Sequence, residues 1–416
     1  MSLIRDLVDS FKVMAQLNRE CRLYFYGIIF NGISQGIFTV IFNLYILSLG
    51  ISTDTLGLIL SVAPIAQMLG SIPVGLLMES IGYKKTFILV YGISGIARLL
   101  QVVVPSVPLI SVAAFVGGLA LSGDFVVRLP FLSANTTPEQ RTHVFSLSAI
   151  VFSTTIAIGA LLAGYVPTFF QWLGMNTTQG YQLLLVIAGV LSVLGALPLL
   201  QLKSTPPLVE SHKISLAPYL HGIDRFTLQQ AAISLFVGIG VGLTSPFMNI
   251  YFLFHLSASR EYFGVISALA IIPTLLAVTI APVLARKTGN VRAVTILRFI
   301  IPFFMINLAF TTLAWSGTLS YWIMSAMTTA SQPLSFAFAL WAARKSAKAA
   351  TSAWLNVTFW LGMAASAPLA GMFLSKADYK TPLFIAAAAM LAASLLNDFF
   401  FKRVDQPGFN VDPIEV

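Results

Sequence analysis

The sequence predicts an all-α polytopic membrane protein with twelve transmembrane helices in two six-helix bundles, and three observations carry that prediction. The chain has 416 residues, of which 57% are hydrophobic and only 9% charged, against about 45–50% and about 25% in soluble domains. Apolar runs long enough to cross a bilayer recur along its whole length. The longest polar stretch, near residues 201–225, divides those runs into six and six. So few charges cannot cover a water-facing surface, which excludes an ordinary soluble, disordered or disulfide-rich secreted protein. The one cysteine, Cys21, excludes an intramolecular disulfide and a cysteine-cage metal site.

Residues 1–20 place Ile4, Leu7, Val8, Phe11, Met14 and Leu17 at helical spacing opposite Arg5, Asp9, Lys12 and Arg19. That pattern predicts an amphipathic helix on the cytoplasmic leaflet, while Asp6, Asp9 and Glu20 interrupt any signal-peptide core. The first bundle, 21–200, takes its spans from apolar runs at 22–48, 54–79, 85–104, 108–131, 143–168 and 180–200. Thr137-Pro138-Glu139-Gln140 reads as the start of the fifth span, with threonine as N-cap, proline first and glutamine in the capping-box position. Residues 201–225 form a cytoplasmic linker with Lys203, Pro206, Pro207, Glu210, Lys213 and Asp224. The second bundle, 226–401, has runs at 226–255, 260–284, 292–314, 318–341, 350–374 and 380–401, and 402–416 is a cytoplasmic tail.

Placing the N-terminus in the cytoplasm puts eighteen of the 24 Lys and Arg residues on that side. The positive-inside rule therefore orients both termini toward the cytoplasm. The net charge of +9 then reports topology and attraction to anionic headgroups, and nucleic acid is not an expected partner. Asn176-Thr177-Thr178 fits a glycosylation acceptor in an outer loop, although such triplets are common.

The loop after the second span contains Gly75, Glu79, Gly82, Lys84 and Lys85, and the loop after the eighth contains Arg286, Lys287, Gly289 and Arg292. A shift of 207 residues pairs Gly82 with Gly289, Lys85 with Arg292 and Glu79 with Arg286. Two matching halves are an architecture shared by many secondary transporters. The first loop resembles the signature of the major facilitator superfamily between helices two and three, Gly-x-x-x-Asp-x-x-Gly followed by two basic residues. Here Glu79 replaces the aspartate, and Tyr83 sets the basic pair one residue later. The resemblance implies the major facilitator fold, alternating access, and a cytoplasmic gate built on Gly75, Glu79, Gly82, Lys84, Lys85 and Arg286. It further implies that helices one, four, seven and ten line a central cavity. On those helices Asn31 and Gln35 share a face, as do Ser245 and Asn249, and Gln332 lies near mid-span. With Arg98 these are the substrate-cavity candidates, joined by rings drawn from Phe42, Phe247, Tyr251 and Phe252.

An ionisable residue inside a span is costly and by default a functional candidate. Asp124 is the one carboxylate deep in a span, with Arg128 at i+4. Three roles are open: proton coupling through a carboxylate made less acidic by burial, a gate or structural ion pair with Arg128, and direct substrate contact. Arg98 could bind an anionic substrate, pair with Asp124 or snorkel. Arg298, near the inner interface, is expected to snorkel. The antiporter signatures of the superfamily are at best partial, since the fourth span lacks their arginine and the fifth, around Gly159 and Gly164, lacks their Gly-Pro pair.

No phosphate loop, HExxH or metal-spaced His/Cys set occurs, so direct ATP drive, enzymatic chemistry, metals and cofactors are not expected. The expected function is secondary active transport, foremost proton-coupled export of a small hydrophobic or amphipathic compound. The alternatives are uptake or facilitated diffusion of a polar metabolite or organic anion, and lipid translocation. The expected setting is a multi-pass monomer in a bacterial inner membrane, with a small-molecule substrate, membrane lipids and protons as partners.

Overall fold

The computed structural model describes residues 17–203, 223–344 and 347–405. Residues 1–16 of the amphipathic helix expected over 1–20, most of the 201–225 linker and most of the tail lie outside the described residues.

Among the described residues, eleven helices are long and apolar enough to cross a membrane. The helix Ala314–Ala342 makes a twelfth of comparable length. It falls short on composition alone, because its span carries Gln332 and many Ser and Thr side chains. Those hydroxyls are satisfied within the helix: Thr318 donates to Ala314 O, Ser320 to Ser316 O and Ser331 to Thr328 O. We number the spans α1 (Arg19–Ser48), α2 (53–81), α3 (83–103), α4 (Val107–Ala134), α5 (Pro138–Trp172), α6 (Thr177–Leu200), α7 (Arg225–His255), α8 (Arg260–Thr288), α9 (Asn290–Phe310), α10 (Ala314–Ala342), α11 (Lys348–Leu374) and α12 (Lys380–Phe401). Large apolar side chains stay exposed along these helices, among them Ile96, Leu100, Val112, Leu276, Phe303 and Phe399. A surface of that kind is suited to lipid rather than water.

α2 and α3 form one helical stretch broken at Gly82, whose φ of 78° and ψ of 167° lie where only glycine is at ease. Gly289 turns α8 into α9 with φ 94° and ψ 157°. The 207-residue repeat read in the sequence is thus repeated in the backbone.

Contacts gather Met1–Leu49 with Leu69–Lys213 as one unit and Gly50–Met68 with Ile214–Val416 as the other. The early part of α2 belongs by contact with the second unit. The reason is a glycine crossing: a Cβ on Gly57 would stand 2.8 Å from Ala367 O, and one on Gly371 would stand 2.5 Å from Thr53 O.

Inside each unit the same crossing recurs. In the first, Gly36 and Gly159 bring α1 against α5 so closely that a Cβ on either would lie 2.1–2.2 Å from a carbonyl of the other helix. In the second, Gly238 and Gly362 do this for α7 and α11, with carbonyls at 2.1 and 2.4 Å. Small residues of this kind carry helix packing in lipid, where hydrophobicity no longer drives helices together.

Two sequence expectations change at helix ends. Thr137 is the N-cap of α5, but its side chain makes no capping bond, so the expected box with Gln140 does not form. The box occurs at α6 instead. Asn176 Oδ1 accepts from Gln179 N at 2.9 Å and Gln179 Oε1 accepts from Asn176 N at 3.1 Å. The asparagine of the glycosylation triplet thus holds a helix start.

Candidate functional site

Two polar clusters lie buried within the first unit. The first centres on Arg98, in the second half of α3. Gly95, one turn earlier, lets α3 approach α6 until a Cβ would meet Val193 N at 2.7 Å. Arg98 is 5% exposed, so it does not snorkel. Its Nη1 donates to Asn31 Oδ1 at 3.2 Å and to Ser34 Oγ at 2.7 Å, and its Nη2 donates to Gln35 Oε1 at 2.5 Å. Ser192 of α6 also donates to Asn31 Oδ1, at 3.4 Å, and the guanidinium carbon lies 5.3 Å from the centre of the Phe38 ring. Asn31 and Gln35, paired on one face of α1 by the sequence, are brought together by Arg98. All of its hydrogen-bond partners are neutral, and among the described residues it makes no ion pair. Gln35 and Phe38 are half-buried and form the open edge of the cluster.

The second cluster centres on Asp124, 4% exposed. Its Oδ2 accepts from Arg128 Nη2 one turn along α4, and its Oδ1 accepts from Tyr91 Oη of α3 at 3.1 Å. Arg128 in turn lies over Phe152 of α5, 5.2 Å from the ring centre. Around this pair Tyr24, Phe87 and Phe131 pack at ring distances of 5.1–5.7 Å, within a core that takes in Val127, Leu132 and Leu147. The Asp124–Arg98 pairing left open by the sequence does not form, because Arg128 and Tyr91 occupy the carboxylate. A charge pair in such apolar surroundings is costly to break, since either partner left alone is an unpaired buried ion.

The second unit assembles its candidates less tightly. Ser245 is exposed. Asn249 is 2% exposed, and its Oδ1 accepts from Ile250 N at 2.9 Å. Gln332 is half-buried on α10. Phe42, Phe247, Tyr251 and Phe252, the rings expected beside these candidates, are all buried. Phe252 sits against Phe263 and Tyr321 at 5.5 and 6.0 Å, and the Tyr251 hydroxyl donates to Leu308 O.

Sequence reading missed the break in α7. A 3₁₀ turn over Ser245–Phe247 and a π turn over Tyr251–His255 interrupt the α-helix, with Pro246 as the available signal. Such irregular turns free backbone groups for binding and recur at functional sites.

At the Gly82 turn, Glu79 and Lys85 are exposed, Gly75 and Lys84 half-buried and Gly82 buried; Arg286 is exposed at the end of α8. Among the described residues Glu79, Lys84 and Lys85 make no ion pair, so the acid does not close onto the basic pair of its own loop. The glycine turn carries the chain away from the end of α2.

Among the described residues, long helices in two related halves with buried charge at a few positions make an architecture shared by many secondary transporters. The Major Facilitator Superfamily model matches residues 24–331, and the chain belongs to that family. Among curated proteins it is 26% identical over 129 residues to "Uncharacterized MFS-type transporter YfkF" of Bacillus subtilis, covering 31% of this chain and 33% of that one. It is 27% identical over 146 residues to "Putative niacin/nicotinamide transporter NiaP" of the same species, covering 35% and 36%. The match thus spans about a third of either relative. Among solved structures, nucleoside transporter NupG aligns with a TM-score of 0.75 at 13% identity, covering 93% of this chain and 100% of that one. The D-xylose–proton symporter aligns at 0.70 and 14%, covering 91% and 96%. At such identities the likeness is one of fold.

Proposed function

We propose that this transporter moves a small organic anion across a bacterial inner membrane by alternating access, with both termini cytoplasmic and Arg98 receiving the anionic group. One observation carries this reading: a guanidinium buried deep in the first unit is held only by neutral oxygens, from Asn31, Ser34 and Gln35. A buried charge without a counterion is costly by several kcal/mol, and a carboxylate arriving at Arg98 removes that cost. Gln35 and Phe38 at the open edge would orient the solute, the amide by a hydrogen bond and the ring by stacking. The relative named for niacin and nicotinamide supports a solute of this size.

Asp124 favours a second element, proton coupling. Protonating the carboxylate would release Arg128 and Tyr91, a bistable change of the kind a coupled transporter needs. Export of a neutral amphipathic compound would use that coupling without Arg98.

Uptake of labelled monocarboxylates, nicotinate included, into vesicles containing the purified protein tests the proposal. Saturable flux lost in Arg98→Gln supports it. Flux of neutral amphipathic compounds that ignores Arg98→Gln supports export instead.

A further inference from the structure

The second unit contains a buried charge that none of the above uses. Arg298, on α9, is 4% exposed, against the snorkelling expected from its place near the membrane interface. Its Nε and Nη1 are enclosed without a hydrogen-bond partner. Among the described residues no ion pair or ring contact takes up its charge.

The sequence explains why the side chain is held inside. Val291, Val294, Ile301, Met305 and Leu308 are buried along α9 at helical spacing, and Arg298 occupies the same stripe. Rotation of α9 cannot expel it, because both flanks are fixed. Thr295 O accepts from Ser394 of α12 at 2.9 Å and Thr295 Oγ1 accepts from Asn397 at 2.9 Å, while Leu297 packs with Ala326 and Ala330 of α10. A guanidinium keeps its proton at any working pH and offers five donors but no acceptor. A guanidinium can grip an oxyanion through two parallel hydrogen bonds.

We propose that Arg298 anchors an anion-binding site inside the second unit, separate from the Arg98 cluster, for a small oxyanion such as a carboxylate or phosphate group. The site lies about 12 Å along the axis of α9 from its start at Asn290. The ligand supplies the counter-charge that the described residues do not, and so ties α9 to α10 and α12 when it is bound.

The test is the thermal midpoint of the full-length protein. Delipidated protein in neutral detergent is titrated with acetate and with phosphate against chloride at constant ionic strength. Protein in nanodiscs of phosphatidylcholine is compared with nanodiscs containing phosphatidylglycerol. A saturable rise with acetate or phosphate supports a soluble oxyanion, and a rise confined to phosphatidylglycerol supports a headgroup. The variants are compared in an Arg98→Gln background, so that anions taken up at Arg98 do not contribute; there Arg298→Met must abolish the rise and Arg298→Lys must move its half-point at least tenfold. A flat response in both media overturns the site, as does a rise that persists in Arg298→Met. If Arg298→Met does not fold, an unchanged half-point in Arg298→Lys overturns it. Loss of transport in Arg98→Gln is scored separately, so either reading can fail alone.

Discussion

Gly82 and Gly289, 207 residues apart, hold the same rare backbone conformation, φ 78° and ψ 167° against φ 94° and ψ 157°. Each joins two helices of its half at the same point of the repeat. An L-residue there costs roughly 1–3 kcal/mol. Gly82→Ala and Gly289→Ala are therefore expected to lower the thermal midpoint by similar amounts, whereas alanine at Gly92, where a Cβ meets nothing within 4 Å, leaves it near the parent value. Scanning calorimetry on the three purified variants checks this.

The Asp124–Arg128 pair predicts a non-additive pattern. Asp124→Asn strands a buried guanidinium and should cost roughly 3–5 kcal/mol, whereas Asp124→Asn with Arg128→Met should recover much of the loss. A double-mutant cycle on unfolding midpoints measures the coupling. Additive losses would show that the two side chains do not depend on each other.

The glycine crossings predict steric intolerance in both halves. Gly36→Val and Gly238→Val place atoms on carbonyls that already stand 2.1 Å from the position of a Cβ, and both should fold poorly. Overpacking typically costs roughly 1–3 kcal/mol for added methylenes, and a carbonyl at this range cannot yield. Detergent-solubilised yield and gel-filtration homogeneity report the outcome.

Outside the spans, Asp378 accepts from Lys380 N at 3.1 Å and Thr381 N at 3.0 Å at the start of α12. Hydrogen bonds from Thr381 hold its carboxyl below the ordinary aspartate value, with Lys380 adding to the effect. A carboxyl whose pKa is lowered on folding stabilises the fold above its unfolded pKa, and that contribution fades as pH falls through the lower folded value. Asp378→Ala should therefore lower the midpoint by up to about 1 kcal/mol at neutral pH, and the gap should close in acid. A gap constant across that range would rule the cap out.

What the sequence disclosed and what it hid differ for physical reasons. Span positions were legible because hydropathy and length are local: the run read at 22–48 is Arg19–Ser48, and that at 226–255 is Arg225–His255. The Gly82/Gly289 repeat was legible because glycine marks a backbone requirement. The partners of Arg98 were not, because Asn31, Ser34 and Gln35 are more than sixty residues away and helix packing alone brings them together. The break in α7 escaped because apolar content does not register backbone geometry. Arg298 was misplaced by distance from the interface, although its apolar stripe neighbours were visible at helical spacing.

Arg98 is proposed to read the negative charge of the transported solute. Its most direct test is initial uptake of a labelled monocarboxylate into vesicles containing parent, Arg98→Lys or Arg98→Gln protein at equal, folded amounts. Saturable flux in the parent, a raised half-saturation in Arg98→Lys and loss of flux in Arg98→Gln with the thermal midpoint retained are the expected results. Undiminished carboxylate flux in Arg98→Gln would contradict it.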